Sequence, residues 1–155
     1  MSRWMAVDHG TRRIGIAVGN TADRIASPVK VVAAEPASAA IEQIKSLMAD
    51  YQVDGLVVGW PLNMDGTEGP QGELARGMAV ALADATNVPV RLWDERLSSF
   101  VADVALRGLL TRKKRRARQD AIAAAAILQD FLNSGTVDEP APHPRDVKPE
   151  ENPEF

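Results

Sequence analysis

The first third of the chain contains three short apolar segments that are separated from one another by only a few residues. The segments lie near residues 4–8, 14–18 and 24–33. Connections this short join antiparallel neighbours, because a parallel crossover needs a dozen or more residues. The pattern therefore predicts a three-stranded antiparallel unit at the start of the fold.

The remainder of the chain alternates between helical and strand patterns. The continuous apolar run 54–59 is typical of a strand that is buried on both faces of a parallel sheet. A further strand is predicted at 88–93, and helices are predicted at 36–51, 71–86, 98–110 and 117–133. The predicted class is α/β, with a mixed five-stranded sheet of three antiparallel strands followed by parallel strands, flanked by helices joined through right-handed crossovers.

Charge and proline content divide the chain after residue 134. Residues 135–155 contain six acidic residues, two basic residues and five prolines, with almost no large apolar side chains. Such a segment has little to bury, so we predict a disordered acidic tail after one domain at 1–134. The whole chain has a net charge of -3, but without this tail the charge is +1.

The side chains available for metal binding are restricted. The chain has no Cys and two His residues, which excludes disulfides, thiolate zinc sites and imidazole-rich sites, so any metal must be held by oxygen. No run of the chain approaches the roughly 20 apolar residues of a membrane span, and the start does not resemble a signal peptide. We expect a cytoplasmic protein without a membrane partner.

Three acidic residues stand at the ends of predicted elements. Asp8 ends the first strand, Glu95 follows the fifth, and Asp120 shares a helical stripe with apolar residues. If strands one and five are neighbours, Asp8 and Glu95 meet at the carboxyl edge of the sheet. Carboxylates brought together repel one another, and divalent cations relieve that repulsion. Oxygen ligands favour Mg²⁺ or Mn²⁺, and two such ions suit phosphodiester hydrolysis.

Each of these acids also has an ordinary structural explanation. Asp8 precedes His9-Gly10, and an Asp near a Gly is a common turn residue. Glu95 and Asp120 lie where helices are predicted to start, and acids there are stabilised by the helix dipole.

Two segments carry candidate contacts to nucleic acid. The basic run from Arg112 to Arg116 with Arg118 is predicted as a phosphate-binding connection before the last helix, or else as a solvated loop. The irregular loop at 60–70 is predicted either to grip substrate or to be a plain surface connection, and it has no P-loop pattern. The candidate nucleic-acid-binding residues are Arg12, Arg13, Asn63, Thr67, Arg96, Lys113, Lys114, Arg115 and Arg116.

Four segments, in this order, resemble the motifs of the YqgF family, also called RuvX. They are 7–18 (VDHGTRRIGIAV), 58–67 (VGWPLNMDGT), 94–98 (DERLS) and 119–129 (QDAIAAAAILQ). The resemblance implies an RNase H-like fold, and it implies catalytic and metal-binding roles for Asp8, Glu95 and Asp120. It also implies a metal-dependent endonuclease in 5′-end maturation of the 16S ribosomal RNA precursor. The chain departs from the family at Trp60, where Leu is commoner, and at Gly19-Asn20, where many members have Ser-Asp.

Three other functions remain open from the sequence. The first is a Holliday junction resolvase acting on branched DNA. Symmetric cleavage of a junction needs two active sites, so a strictly monomeric protein would favour the RNA substrate. The second is a non-catalytic nucleic-acid-binding factor of the same fold. The third is an actin-like or sugar-kinase ATPase, suggested by Asp-x-Gly-Thr at Asp8 but disfavoured because such proteins need two lobes. The sequence leaves both a monomer and a homodimer possible.

Overall fold

The computed structural model describes residues 1–97 and 112–149, with the backbone alone for residues 97 and 112–118. Five strands form one sheet: β1 (Arg3–His9), β2 (Arg13–Asn20), β3 (Ser27–Ala33), β4 (Gly55–Trp60) and β5 (Val90–Asp94). The helices are α1 (Ala37–Tyr51), α2 (Pro70–Ala85) and α3 (Arg112–Asn133), and short 3₁₀ turns occur at Glu95–Leu97 and Pro144–Asp146. The helix predicted at 98–110 lies outside the described residues.

The sheet has the strand order β3-β2-β1-β4-β5. β1, β2 and β3 pair antiparallel, whereas β4 is parallel to both β1 and β5. The predicted mixed five-stranded sheet is confirmed. The expectation that strands one and five are neighbours is wrong, because β2 occupies one edge of β1 and β4 occupies the other. β5 then pairs with the outer edge of β4.

Alternation along the strands sorts the core onto the two faces of the sheet. Met5 and Val7 face the cluster that α1 and α2 cover, while Trp4 and Ala6 face the cluster that α3 covers. On that second face the ring of Phe131 packs against Trp4 with centroids 4.7 Å apart. Side chains along a strand alternate, so Asp8 continues the row of Trp4 and Ala6 toward α3.

α3 differs from its predicted extent. The helix already includes residues 112–116, so the basic run forms helical turns and is not a connection before the helix. Lys and Arg have high helix propensity, and the sequence from 112 to 133 contains neither Gly nor Pro. Within residues 1–97 and 112–149, the structure contains no helix with the length and apolar character needed to cross a membrane.

The C-terminal segment, residues 136–149, packs against α2 and β5. Pro144 is buried, and Arg91 Nη2 donates hydrogen bonds to the carbonyl oxygens of Val137 and Glu139. On α2, Asp84 accepts a hydrogen bond from Arg145 and pairs with His143. These contacts differ from the solvated tail that composition predicts, because arginines of the domain satisfy the segment's carbonyls. The division of the chain after residue 134 stays a prediction.

Candidate active site

Asp8 and Gly59 are neighbours at the carboxyl edge of the sheet, and the side chain of Glu95 reaches them from the 3₁₀ turn after β5. β1 and β4 align Val7 with Val58, which places Asp8 beside Gly59, and Gly59 in turn aligns with Trp93 on β5. Strands are about 4.8 Å apart, so roughly 10 Å of sheet separates β1 from β5. A Cβ on Gly59 would lie 2.5 Å from Glu95 Oε1. The missing side chain therefore leaves the space that the Glu95 carboxyl occupies.

The carboxyl groups of Asp8 and Glu95 are hydrogen-bonded to each other. Such a bond needs a proton on one of them, since an ionised carboxylate can only accept. Burial, reinforced by the charge of Asp8, raises the pKa of Glu95 to about 8. Burial also raises the pKa of Asp8, and the charge of Asp120 contributes to that rise. Without a cation, the pair therefore retains a proton at neutral pH.

Asp120 completes the acidic group from the α3 side. Arg13 Nε donates a hydrogen bond of 2.7 Å to Asp120 Oδ2, and both side chains are partly exposed. A Cβ on Gly15 of β2 would lie 1.8 Å from the backbone oxygen of Asp120, so helix and strand backbones meet directly there. This close approach holds the turn of α3 that carries Asp120 against the sheet.

The described residues do not include a ready-made cluster of three His, Cys, Asp or Glu side chains that could hold a metal ion. Asp8 and Glu95 are in contact, whereas Asp120 turns toward Arg13. A shared proton and a guanidinium thus offset charge that a divalent cation would otherwise balance. The donors are all carboxylate oxygens, the ligands that Mg²⁺ and Mn²⁺ prefer. The residues therefore fit such a cation when the Asp8–Glu95 pair has lost its proton and Arg13 has moved away from Asp120.

The loop between β4 and α2, residues 61–69, is called the substrate loop after its predicted role, and it is held together by its own hydrogen bonds. The Asn63 amide donates to the carbonyl of Thr67 at 2.9 Å, and the side chains of these two residues are bonded at 3.0 Å. The Thr67 hydroxyl and amide both donate to Asp65 and hold the pKa of that carboxyl below its usual value. Asn63 and Thr67 are exposed, as a substrate contact requires, but they first stabilise the loop.

Arg96 connects the substrate loop to the end of β5. Its guanidinium forms an ion pair with Asp94 and donates to the carbonyl oxygens of Asn63 and Met64. Arg96 follows Glu95 directly, so this link ties the loop to the residue that meets Asp8. Arg96 therefore stabilises the position of the loop and is also a candidate phosphate contact.

The structure describes the remaining predicted nucleic-acid contacts only in part. Arg12 is exposed in the turn between β1 and β2, next to Arg13. The side chains of Lys113, Lys114, Arg115 and Arg116 lie outside the described part of the chain. Gly15 and Gly59 were not among the residues predicted for the site, although a glycine inside a strand is a known sign of close approach by another group.

A family model described as "RuvX: Holliday junction resolvase" matches residues 2–134. The chain belongs to the RuvX family. A protein of Anaeromyxobacter sp. (strain K), named "Putative pre-16S rRNA nuclease", is 47% identical over 132 residues, covering 84% of this chain and 96% of the relative. A Roseiflexus sp. (strain RS-1) protein of the same name is 43% identical over 85% of this chain and 94% of its own. The resemblance recognised in the sequence motifs is confirmed, and RuvX membership removes the ATPase alternative.

Solved structures show the same fold at low sequence identity. RuvC of T. thermophilus, in complex with a Holliday junction substrate, matches with a TM-score of 0.58 and 17% identity, over 88% of this chain and 97% of RuvC. The fowlpox virus Holliday junction resolvase matches with a TM-score of 0.51 and 11% identity, over 85% of this chain and 99% of its own. The predicted RNase H-like fold is confirmed.

The shared proton has a consequence for stability without metal. The folded state raises the pKa of Glu95 from 4.5 to about 8, so between these values it binds more protons than the unfolded chain. The free energy of unfolding therefore falls as pH rises through this range, and a divalent cation bound by the pair would restore it. We expect the melting temperature in EDTA to drop by several degrees from pH 5 to pH 8, a loss on the order of 1–3 kcal/mol.

Thermal unfolding of Glu95→Gln checks this expectation, because the variant has no carboxyl to titrate at that position. Its melting temperature is expected to change less between pH 5 and pH 8 than that of the wild type. Glu73→Gln, an exposed change on α2, serves as the control and keeps the wild-type dependence. An equal pH dependence in wild type and Glu95→Gln would contradict the raised pKa.

Proposed function

We propose that this RuvX chain is a metal-dependent endonuclease that hydrolyses phosphodiester bonds in 5′-end maturation of the 16S ribosomal RNA precursor. The observation that carries the proposal is the half-buried Asp8–Glu95 pair with Asp120 beside it, at the carboxyl edge of an RNase H-like sheet. The relatives named for pre-16S ribosomal RNA support the choice of substrate. The reaction belongs in the cytoplasm, where such precursors are processed.

The proposed catalytic and metal-binding residues are Asp8, Glu95 and Asp120. Two Mg²⁺ or Mn²⁺ ions bound there would supply an activated water and stabilise charge on the leaving oxygen. Asp8 and Glu95 would hold the ions in their deprotonated forms, and their partial burial limits the access of bulk water to this edge of the sheet. Arg13, once separated from Asp120, can donate two hydrogen bonds to a substrate phosphate.

Residues around this edge form the proposed nucleic-acid surface. The exposed tip of the substrate loop and the β1–β2 turn flank the acids, and the basic turns of α3 add positive charge. Basic side chains bind phosphate without reading sequence, so they set position and salt dependence. The proposed contacts are Arg12, Arg13, Asn63, Thr67, Arg96, Lys113, Lys114, Arg115 and Arg116.

Junction resolution is the second candidate function. The family model is described as a Holliday junction resolvase, and a matching RuvC structure contains a junction. The same carboxylates can hydrolyse DNA, since they act on the phosphate. Symmetric cleavage of a four-way junction would need a homodimer with two active sites, whereas the RNA function works in a monomer.

Cleavage of two substrates by the purified full-length protein tests the proposal. With Mn²⁺ we expect cutting of an RNA that carries the 5′ extension of the 16S precursor, and little cutting of a four-way DNA junction. EDTA should stop the reaction. Symmetric cleavage of the junction with the RNA left intact would favour the resolvase. No cleavage of either substrate would leave a nucleic-acid-binding factor.

A further inference from the structure

Arg76 of α2 lies at the base of the substrate loop, where it contacts the buried Trp60 and the half-buried Glu68. Glu68 Oε2 accepts hydrogen bonds from Trp60 Nε1 at 2.7 Å and from Arg76 Nε at 2.9 Å. The Arg76 guanidinium carbon also lies 5.0 Å from the centroid of the Trp60 ring, a cation–π distance. One arginine therefore joins both ends of the loop, because Trp60 precedes it and Glu68 is near its end.

The C-terminal segment supplies the remaining partners of this arginine. Arg76 Nη1 donates hydrogen bonds to the carbonyl oxygens of Pro144 and Val147. The segment is itself anchored on both sides, since Arg91 binds the carbonyls of Val137 and Glu139. The guanidinium is thus held between a carboxylate of the loop and two carbonyls of the segment, a fork that only Arg provides.

The substrate loop connects this network to the acidic site. Its tip is bound by Arg96, which follows Glu95, and its base follows Gly59, which faces the Glu95 carboxyl. A displacement of Glu68 would therefore also displace the exposed side chains of Asn63 and Thr67. The segment reaches none of the three acids itself within the described residues, so any effect must pass through the loop.

We propose that Arg76 is a positioning residue for the substrate loop, and that the C-terminal segment, which lies outside the family match at 2–134, holds Arg76 in place. The segment thereby controls how tightly the enzyme holds nucleic acid. The inference rests on the proposed nuclease function for its effect on substrate. The ordering of the loop is a separate consequence that needs no activity.

Two full-length variants with unchanged net charge test the inference. Arg76→Lys keeps the charge but cannot bridge Glu68 and both carbonyls at once, and Pro144→Gly removes the buried ring that seats the segment. Arg24→Lys is the matched control, because Arg24 is exposed in the β2–β3 turn, at the opposite end of the sheet from the loop. Each protein is compared by amide hydrogen exchange over residues 61–69 and by steady-state cleavage.

We expect Arg76→Lys to raise exchange in the loop about tenfold and to leave β1 and β4 protected. KM for RNA should rise roughly 5- to 10-fold with kcat nearly unchanged, as one charge-assisted hydrogen bond is lost. Pro144→Gly should act in the same direction, and the double variant should be no worse than Arg76→Lys, since both changes break one chain of contacts.

Unchanged loop exchange in both variants would overturn the inference, whether or not the protein cleaves RNA. Raised exchange with unchanged KM in an active enzyme would overturn the link to substrate. Additive effects in the double variant would show that the segment does not act through Arg76. If the wild type cleaves nothing, the proposed nuclease function fails, while the exchange data still decide whether Arg76 and the segment order the loop.

Discussion

Asp8→Asn is expected to abolish cleavage, with a rate at least on the order of 10³-fold below wild type, as when one member of a cooperating catalytic unit is removed. Asp8 is the central member of the acidic group, since it is hydrogen-bonded to Glu95 and the charge of Asp120 raises its pKa. An amide in its place offers one neutral oxygen where the cation needs a carboxylate. Single-turnover cleavage of RNA with saturating Mn²⁺ measures the loss.

The fold should survive the Asp8→Asn substitution. A repulsive, partly buried carboxylate is removed, so the melting temperature in EDTA is expected to hold or rise, while the stabilisation by Mn²⁺ becomes smaller. Asp50→Asn, an exposed change near the end of α1, is the control and should cleave normally. Glu95→Gln and Asp120→Asn should resemble Asp8→Asn. Wild-type cleavage rates in Asp8→Asn would show that the active site is misassigned.

Gly59→Ala is expected to lower the cleavage rate by about 10²-fold, because small misplacements of catalytic groups have effects of this size. The added Cβ would meet Glu95 Oε1 at 2.5 Å and Ile127 Cδ1 at 2.6 Å. Both atoms are ends of flexible side chains, so they can move aside at a cost of about 1–3 kcal/mol in stability. The move takes the Glu95 carboxyl away from Asp8, which lowers metal affinity together with activity.

Gly77→Ala provides the matched control, because a Cβ at Gly77 meets nothing within 4 Å. This substitution in the exposed side of α2 should stabilise the protein by about 0.5–1 kcal/mol and leave cleavage unchanged. Metal titration followed by thermal unfolding, together with the cleavage rate, compares the two variants. A Gly59→Ala enzyme with wild-type metal affinity and rate would show that Glu95 does not depend on the gap in β4.

Local patterns were sufficient to predict the architecture. Short connections in the first third predicted antiparallel pairing, and the run 54–59 predicted a strand buried on both faces; both are observed. These features depend on the periodicity of neighbouring residues and on turn length, which any single chain displays. The position of Asp8 near the end of β1 could be predicted in the same way. The predicted position of Asp120 in the first turn of the last helix was wrong, because α3 begins at Arg112 and Asp120 lies more than two turns inside it. The catalytic roles of Asp8 and Asp120 stay predictions.

The neighbours of each strand could not be predicted with the same success. Asp8 and Glu95 do meet, but across β4, because Gly59 leaves room where the expected β1–β5 contact does not exist. Strand order depends on which strand edges remain free when other strands have paired, and a local sequence pattern contains no information about those edges. The prediction of a connection at the basic run is wrong, because the helix propensity of Lys and Arg favours the extension of α3 through these residues.

The sequence by itself determined the RuvX family, the order of the described strands and helices, and the acids available to bind a metal, because motifs and periodicities are local properties of the chain. Only the tertiary structure decided that Asp8 and Glu95 lie in hydrogen-bonding contact, that Arg13 pairs with Asp120, and that the C-terminal segment packs on Arg76 and Arg91. These contacts join residues far apart in sequence, and burial and distance, which composition does not contain, set their energies. Composition predicts disorder for an acidic, proline-rich segment, whereas its packing depends on hydrogen-bond donors that a folded domain presents to its carbonyl groups.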